Sequence, residues 1–138
     1  MPTDVFRAIE LLSSTPYGRV SASRRALPFT TVTRHVVVDG RVLLRLHRGY
    51  EYHRALDGSV VAYEADNVNS GARDTWSVQF TGTARVIEPT PVERELFGRT
   101  PRLADGVPYD AVFLRIEPEF VTLHHLTDVP VFGYAHPL

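Results

Sequence analysis

The feature that most constrains the fold is the stretch "WSVQFTGTARV", residues 76–86. Trp76, Val78, Phe80, Gly82, Ala84 and Val86 alternate with Ser77, Gln79, Thr81, Thr83 and Arg85. A two-residue period over this length specifies one long strand with one face toward a core and one polar face. The only tryptophan of the chain stands at its mouth.

The neighbouring segments repeat the pattern with turns between them. "GRVSAS" is a strand, and "PFTTVTRHVVV" and "RVLLRLHR" flank Asp39-Gly40, a hairpin signal because both turn positions accept positive φ. "GYEYHRALDG" lacks alternation and reads as a short helix or ordered loop. "SVVAYEADNV" is a strand, "NVNSGAR" a loop, and "YDAVFLRIEP" and "FVTLHHL" are two final strands. Residues 4–14 form a helix capped by Thr3 or Asp4 and stopped by Pro16. A second helix begins at "TPVEREL", where Thr90 caps, Pro91 takes the first helical position and Glu93 completes a capping box. About seven strands with short helices and no βαβ rhythm predict a mainly β single domain, residues 1–138, built as an antiparallel barrel. A barrel this small has no room inside for a large ligand, so a cofactor is expected at a rim or between subunits.

Composition removes several functional classes. The formal net charge of −1 gives no support to nucleic-acid or anionic-membrane binding. With no cysteine there is no thiolate metal site, disulfide or cysteine nucleophile. Nucleophile elbows and phosphate-cradling glycine loops are absent. The N-terminus has neither the basic start nor the apolar run of a signal peptide, and the expectation is a cytoplasmic protein. Of the six histidines, His124 and His125 are adjacent and point to opposite faces of a strand, while His47 and His53 flank a turn. No metal site is expected from them.

The segment "RLHRGYEYHR" concentrates Arg45, Arg48, Arg54, His47 and His53 with two tyrosines and Glu51. Basic and aromatic groups beside a glycine turn suit a phosphate and a planar ring; the same pattern also describes a solvated hairpin end. Arg45 faces away from Val42, Leu44 and Leu46, on the outer wall, where a guanidinium needs an anionic partner: Glu64, Asp66 or a ligand phosphate.

In this order, "LLSSTPYGRVSAS", "LP" with its strand to "DG", "VLLRLHRG", "VAYEAD", "WSVQFTGTARVIE" and "FLRIEPEFVTLHHL" resemble the pyridoxamine 5′-phosphate oxidase-like, FMN-binding split-barrel family over residues 9–126. The resemblance implies a six-stranded antiparallel split barrel, a homodimer, and two FMN molecules in clefts at the subunit interface. It implies that Arg45 holds the cofactor phosphate, that Ser77 and the adjacent Trp76 contact the cofactor, and that Val32, Thr33 and Arg34 line the flavin ring. Leu46 and Glu51 stand where relatives carry threonine and lysine, "VTRH" where they read Pro-Val-x-Tyr, and Leu123 where a glycine follows "VT". His53 and Arg54 replace the lysine if their loop turns inward. The short ending "VFGYAHPL" lacks the basic C-terminal segment of the pyridoxamine phosphate oxidases, so a flavin or deazaflavin reductase acting on a small-molecule substrate is the expected activity. Two alternatives stand beside it. One is a non-enzymatic dimer holding a flavin, deazaflavin or haem, with His53 as iron ligand. The other is a structural or regulatory dimer without cofactor. Leu43, Val36 or Val37 and Trp76 on outward faces predict an apolar patch for the second copy.

Overall fold

The computed structural model describes residues 2–130, with side chains from residue 4 onward. The elements run α1 (Pro2–Ser13), β1 (Tyr17–Arg24), β2 (Leu27–Val38), β3 (Arg41–His47), a 3-10 turn (Arg48–Tyr50), α2 (Tyr52–Leu56), β4 (Val60–Asp66), β5 (Thr75–Ile87), α3 (Pro91–Phe97), the two-residue strands β6 (Leu103–Ala104) and β7 (Val107–Pro108), and β8 (Ala111–Leu126). Strands β1-β2-β3-β8-β5-β4 close into an antiparallel barrel, with β6 and β7 pairing apart from it. The mainly β barrel expected from the sequence is the observed architecture.

Local chemistry explains the elements that were anticipated. Asp39 and Gly40 both take positive φ in the β2–β3 turn. The Thr90 side chain accepts from the Glu93 backbone N–H while the Glu93 carboxylate accepts from the Thr90 N–H, with Pro91 at the helix start. Helix α1 begins earlier than expected, at Pro2, so Thr3 and Asp4 lie within its span and not before it.

The last two expected strands are one. β8 runs unbroken for 16 residues, and its register against β5 shifts between Thr81↔Phe120 and Gly82↔Pro118, leaving Glu119 as the extra residue of a β-bulge. Pro118 breaks the sequence pattern without ending the strand, because a bulge tolerates its missing N–H. The bulge brings the Glu117 carbonyl onto Gly82; a Cβ there would lie well inside contact distance of the carbonyl oxygen and 2.8 Å from its carbon.

Val78, Phe80 and Ala84 of β5 point into the barrel with Val20, Leu44, Leu114 and Ile116. Val86, expected to continue this row, is 41% exposed: its N–H donates to Asp57, and the strand has passed the core's edge. Ala8, Leu11 and Leu12 of α1 and Leu56 of α2 complete the core. Each large apolar side chain so buried contributes about 1.5–3 kcal/mol.

A small polar network sits in this core. The buried His35 Nε2–H donates to the Leu12 carbonyl at 2.8 Å, which leaves Nδ1 to accept from the Tyr63 hydroxyl, itself an acceptor from Thr33. Burial holds the His35 imidazole below its ordinary value of 6.5 and raises the Tyr63 phenol. The unfolded chain therefore takes up a proton near pH 6.5 that the folded chain refuses, so stability contributed by neutral His35 is present above that value and lost as pH falls below it. Between pH 7.5 and 5.5 wild type should lose more stability to urea than His35→Gln, by at most about 1.4 kcal/mol, the one-proton limit over this interval. Identical pH dependence in the two would contradict a neutral buried imidazole.

The outer face of β3 is also covered. Leu43 is 1% exposed and packs with Phe97 of α3 and Phe113 of β8, with Val36 against them, while Val37 joins the main core. The apolar patch expected at Leu43 is thus filled by this chain's own helix, which sequence alternation could not reveal because α3 comes from a remote part of the chain. The C-terminal stretch "VFGYAHPL" lies outside the described residues.

Candidate functional site

The site begins where α3 ends on the outer wall of β2 and β3. Arg45 is only 4% exposed. Its Nη1 donates to the carbonyls of Phe97 (3.5 Å) and Gly98 (3.2 Å), its Nη2 to that of Arg99 (3.3 Å), and its guanidinium lies 5.6 Å from the centre of the Phe97 ring. These carbonyls lie at the end of α3 and just beyond it, where the helix carries partial negative charge that suits a cation. Neither Glu64 nor Asp66 is its partner: both pair with Arg19, at 3.0 and 3.4 Å. Burial and the bond to Asp66 push the Glu64 carboxyl up to about 6, while that bond holds Asp66 below its usual range. The Nε of Arg45 is buried without a partner.

Arg34 faces Arg45 directly across the β2–β3 ladder. Its guanidinium donates to the carbonyls of Pro16, His35 and Leu96. Burial, then the charge of Arg45, lowers its pKa. Val32, two residues earlier, is 62% exposed on the same outer wall, whereas Thr33 points inward to Tyr63. Only the backbone of Thr33 is therefore available to an external ligand.

Beyond β3 the chain turns through a 3-10 segment into α2, as the non-alternating sequence suggested. His47 Nδ1 accepts from the Asp110 N–H at 3.0 Å, and its ring packs against Tyr50 and Tyr109. Glu51 adopts a left-handed φ of 65° and pairs with Arg54 at 2.8 Å. Arg54 is on the surface, its side chain 72% exposed, while the adjacent His53 is buried. The two candidates for the family lysine thus occupy different environments. His53 Nδ1 has no partner, and burial, followed by the charge of Arg48, lowers the pKa of its ring.

Trp76 and Ser77 stand elsewhere. With Val68, Thr75, His124 and His125 they border a cavity of about 300 Å³ at the end of the β5–β8 ladder. Both histidines border it although they are consecutive, because the strand is ending there. A second cavity, of about 350 Å³, lies beside Arg34 and shares no lining residue with the first. The structure brings Arg34 and Arg45 together and sets Trp76 and Ser77 apart from them. The residues that sequence reasoning did not single out are Phe97, Arg19 and Tyr109; their contacts join segments far apart in the chain, and no local signal marks them.

A closed six-stranded antiparallel barrel with helices packed on its ends and outer wall defines the class, the split barrel. Residues 4–125 match the family model described as pyridoxamine 5′-phosphate oxidase, and the chain belongs to this family. It is 40% identical over 121 residues to an uncharacterised protein of Mycobacterium tuberculosis, covering 83% of this chain and 78% of that one. Among solved structures it resembles the FAD-binding protein from Mycobacterium smegmatis, with a TM-score of 0.69 at 22% identity over 93% of this chain and 96% of that one. It also resembles a FAD-binding protein from Mesorhizobium loti, with a TM-score of 0.65 at 16% identity over 88% and 94%. At these identities the structural likeness establishes the fold.

Proposed function

We propose that the chain is a flavin-dependent oxidoreductase that works as a homodimer, with FMN, or a deazaflavin in its place, held at the subunit interface. The observation that carries this reading is a buried, unpartnered polar atom on each of two residues of the basic and aromatic segment, Arg45 Nε and His53 Nδ1, a state that Arg115 Nε on β8 shares among the described residues. Buried polar groups are nearly always satisfied, and an orphaned pair points to a missing partner rich in oxygens, such as a phosphate. Family membership and the FAD-binding proteins of the same fold support the flavin.

The separation of the two half-sites supports the homodimer. Trp76 and Ser77 border a different cavity from Arg34, and a second copy would supply one half to the other. Exposed Tyr17, Val32, Phe120 and Leu126 leave apolar surface for such a copy.

A bound flavin supplies hydride or electron transfer, and the protein supplies position and electrostatics. In this reading Arg45 and His53 would hold the phosphate, the latter through an Nδ1–H tautomer. The exposed Val32 and the backbone of Thr33 and Arg34 would line the ring, and Trp76 and Ser77 of the second copy would cover it. Arg54 neutralises Glu51 and thereby limits repulsion of the phosphate.

The test is the absorbance of freshly purified protein followed by FMN titration. A flavin spectrum and saturable binding support the reading. A haem spectrum lost on His53→Ala would favour the non-enzymatic binder, and no spectrum with no FMN binding the cofactor-free dimer. Glu51→Lys should tighten FMN binding by about fivefold, since it reverses a charge near the phosphate and frees Arg54, and the gain should shrink with salt. Unchanged affinity would remove Glu51 from the phosphate's surroundings.

A further inference from the structure

The cavity beside Arg34 has features that cofactor binding alone does not require. It measures about 350 Å³, within the size range of small-molecule sites, and is walled by Ser13, Ser14, Thr15, Arg34, Val36 and Leu96 among others. A guanidinium carries five N–H donors. Three hydrogen bonds from Arg34 reach the carbonyls of Pro16, His35 and Leu96, which leaves two donors without a partner among the described residues. None of the ion pairs found among those residues involves Arg34 or Arg45. Two guanidinium groups on paired strands are thus held by neutral carbonyls, and their positive charge has no counter-ion among the described residues. Beside them the wall turns apolar at Val36 and Leu96.

We propose that this cavity binds a small organic carboxylate, its two oxygens taken by the free N–H donors of Arg34 and its apolar body resting on Val36 and Leu96. A carboxylate matches two donors of one planar guanidinium. The Ser13 hydroxyl, which makes no hydrogen bond among the described residues, stands on the same wall as a further donor. Arg34 belongs to the strand proposed to line the flavin ring, so the assignment of this carboxylate as the handle of the redox substrate rests on that reading. Binding itself does not, and the experiment below contains no flavin, so each claim can fail alone.

Benzoate titrated into the isotopically labelled full chain should shift the backbone amides of residues 13–15 and 34–37 and saturate. Arg34→Gln should weaken binding by about tenfold, the size expected for loss of a charge-assisted contact, and Arg34→Lys by less. Because Arg34 also holds three carbonyls, a second variant is needed: Leu96→Glu replaces an exposed side chain, sets a like charge at the cavity mouth and should weaken benzoate binding to a similar extent. Neutral benzyl alcohol should bind more weakly and without regard to residue 34. Amide shifts confined to the Trp76 cavity, benzyl alcohol binding as well as benzoate, or benzoate affinity unchanged in Leu96→Glu and Arg34→Gln would each overturn the proposal.

Discussion

Gly82→Val is expected to destabilise the fold by about 4 kcal/mol, enough to lower soluble yield sharply. Overpacking a core ordinarily costs about 1–3 kcal/mol, because neighbouring side chains can shift. Here the obstacle is backbone: the Glu117 carbonyl and the Cα of Pro118 face the missing Cβ across the bulge. Relief would require undoing the register change between β5 and β8, the longest ladder of the barrel. Thermal unfolding of Gly82→Ala and Gly82→Val measures the effect. A melting temperature for the alanine variant within about 2 °C of wild type would mean that β8 gives way easily at Glu119.

Arg45→Ala should have the second-largest effect, and a double one. Without cofactor it should cost about 2–3 kcal/mol of stability, because three carbonyl groups at the end of α3 lose their donor in a buried place. On the proposed function it should also weaken FMN binding by about 2 kcal/mol. Urea unfolding and FMN titration separate the two losses. Arg45→Met, which keeps the buried stem, should recover part of the stability and none of the FMN affinity. Full FMN affinity in a folded Arg45→Met would exclude Arg45 from the phosphate site.

How far the candidate site was legible depends on the distance over which each interaction acts. Arg45 was recognisable as an outer-wall cation in need of a partner from the alternation of Val42, Leu44 and Leu46, but its burial was not. Its partners were not, because Gly98 lies 53 residues further along the chain. Glu51 looked like a charge opposing a phosphate, and only the turn geometry pairs it with Arg54 three residues on. Likewise, nothing local distinguishes buried His53 from exposed Arg54; the direction of α2 against the barrel decides it.

What the amino-acid order determined by itself was everything governed by neighbours within a few residues. The two-residue period from Trp76 to Ala84 made a strand with a core face, Asp39-Gly40 closed a hairpin through positive φ, and Thr90-Pro91-Glu93 started a helix through its own hydrogen bonds. The tertiary structure decided what depends on approach between remote segments. It joined two expected strands into β8 by a bulge against Gly82, covered Leu43 with Phe97, and gave Glu64 and Asp66 to Arg19 instead of Arg45. The physical reason is that periodicity, turn dihedrals and helix caps are short-range preferences of the chain, whereas ion-pair partners and cavities are set by barrel closure, which no stretch of sequence contains.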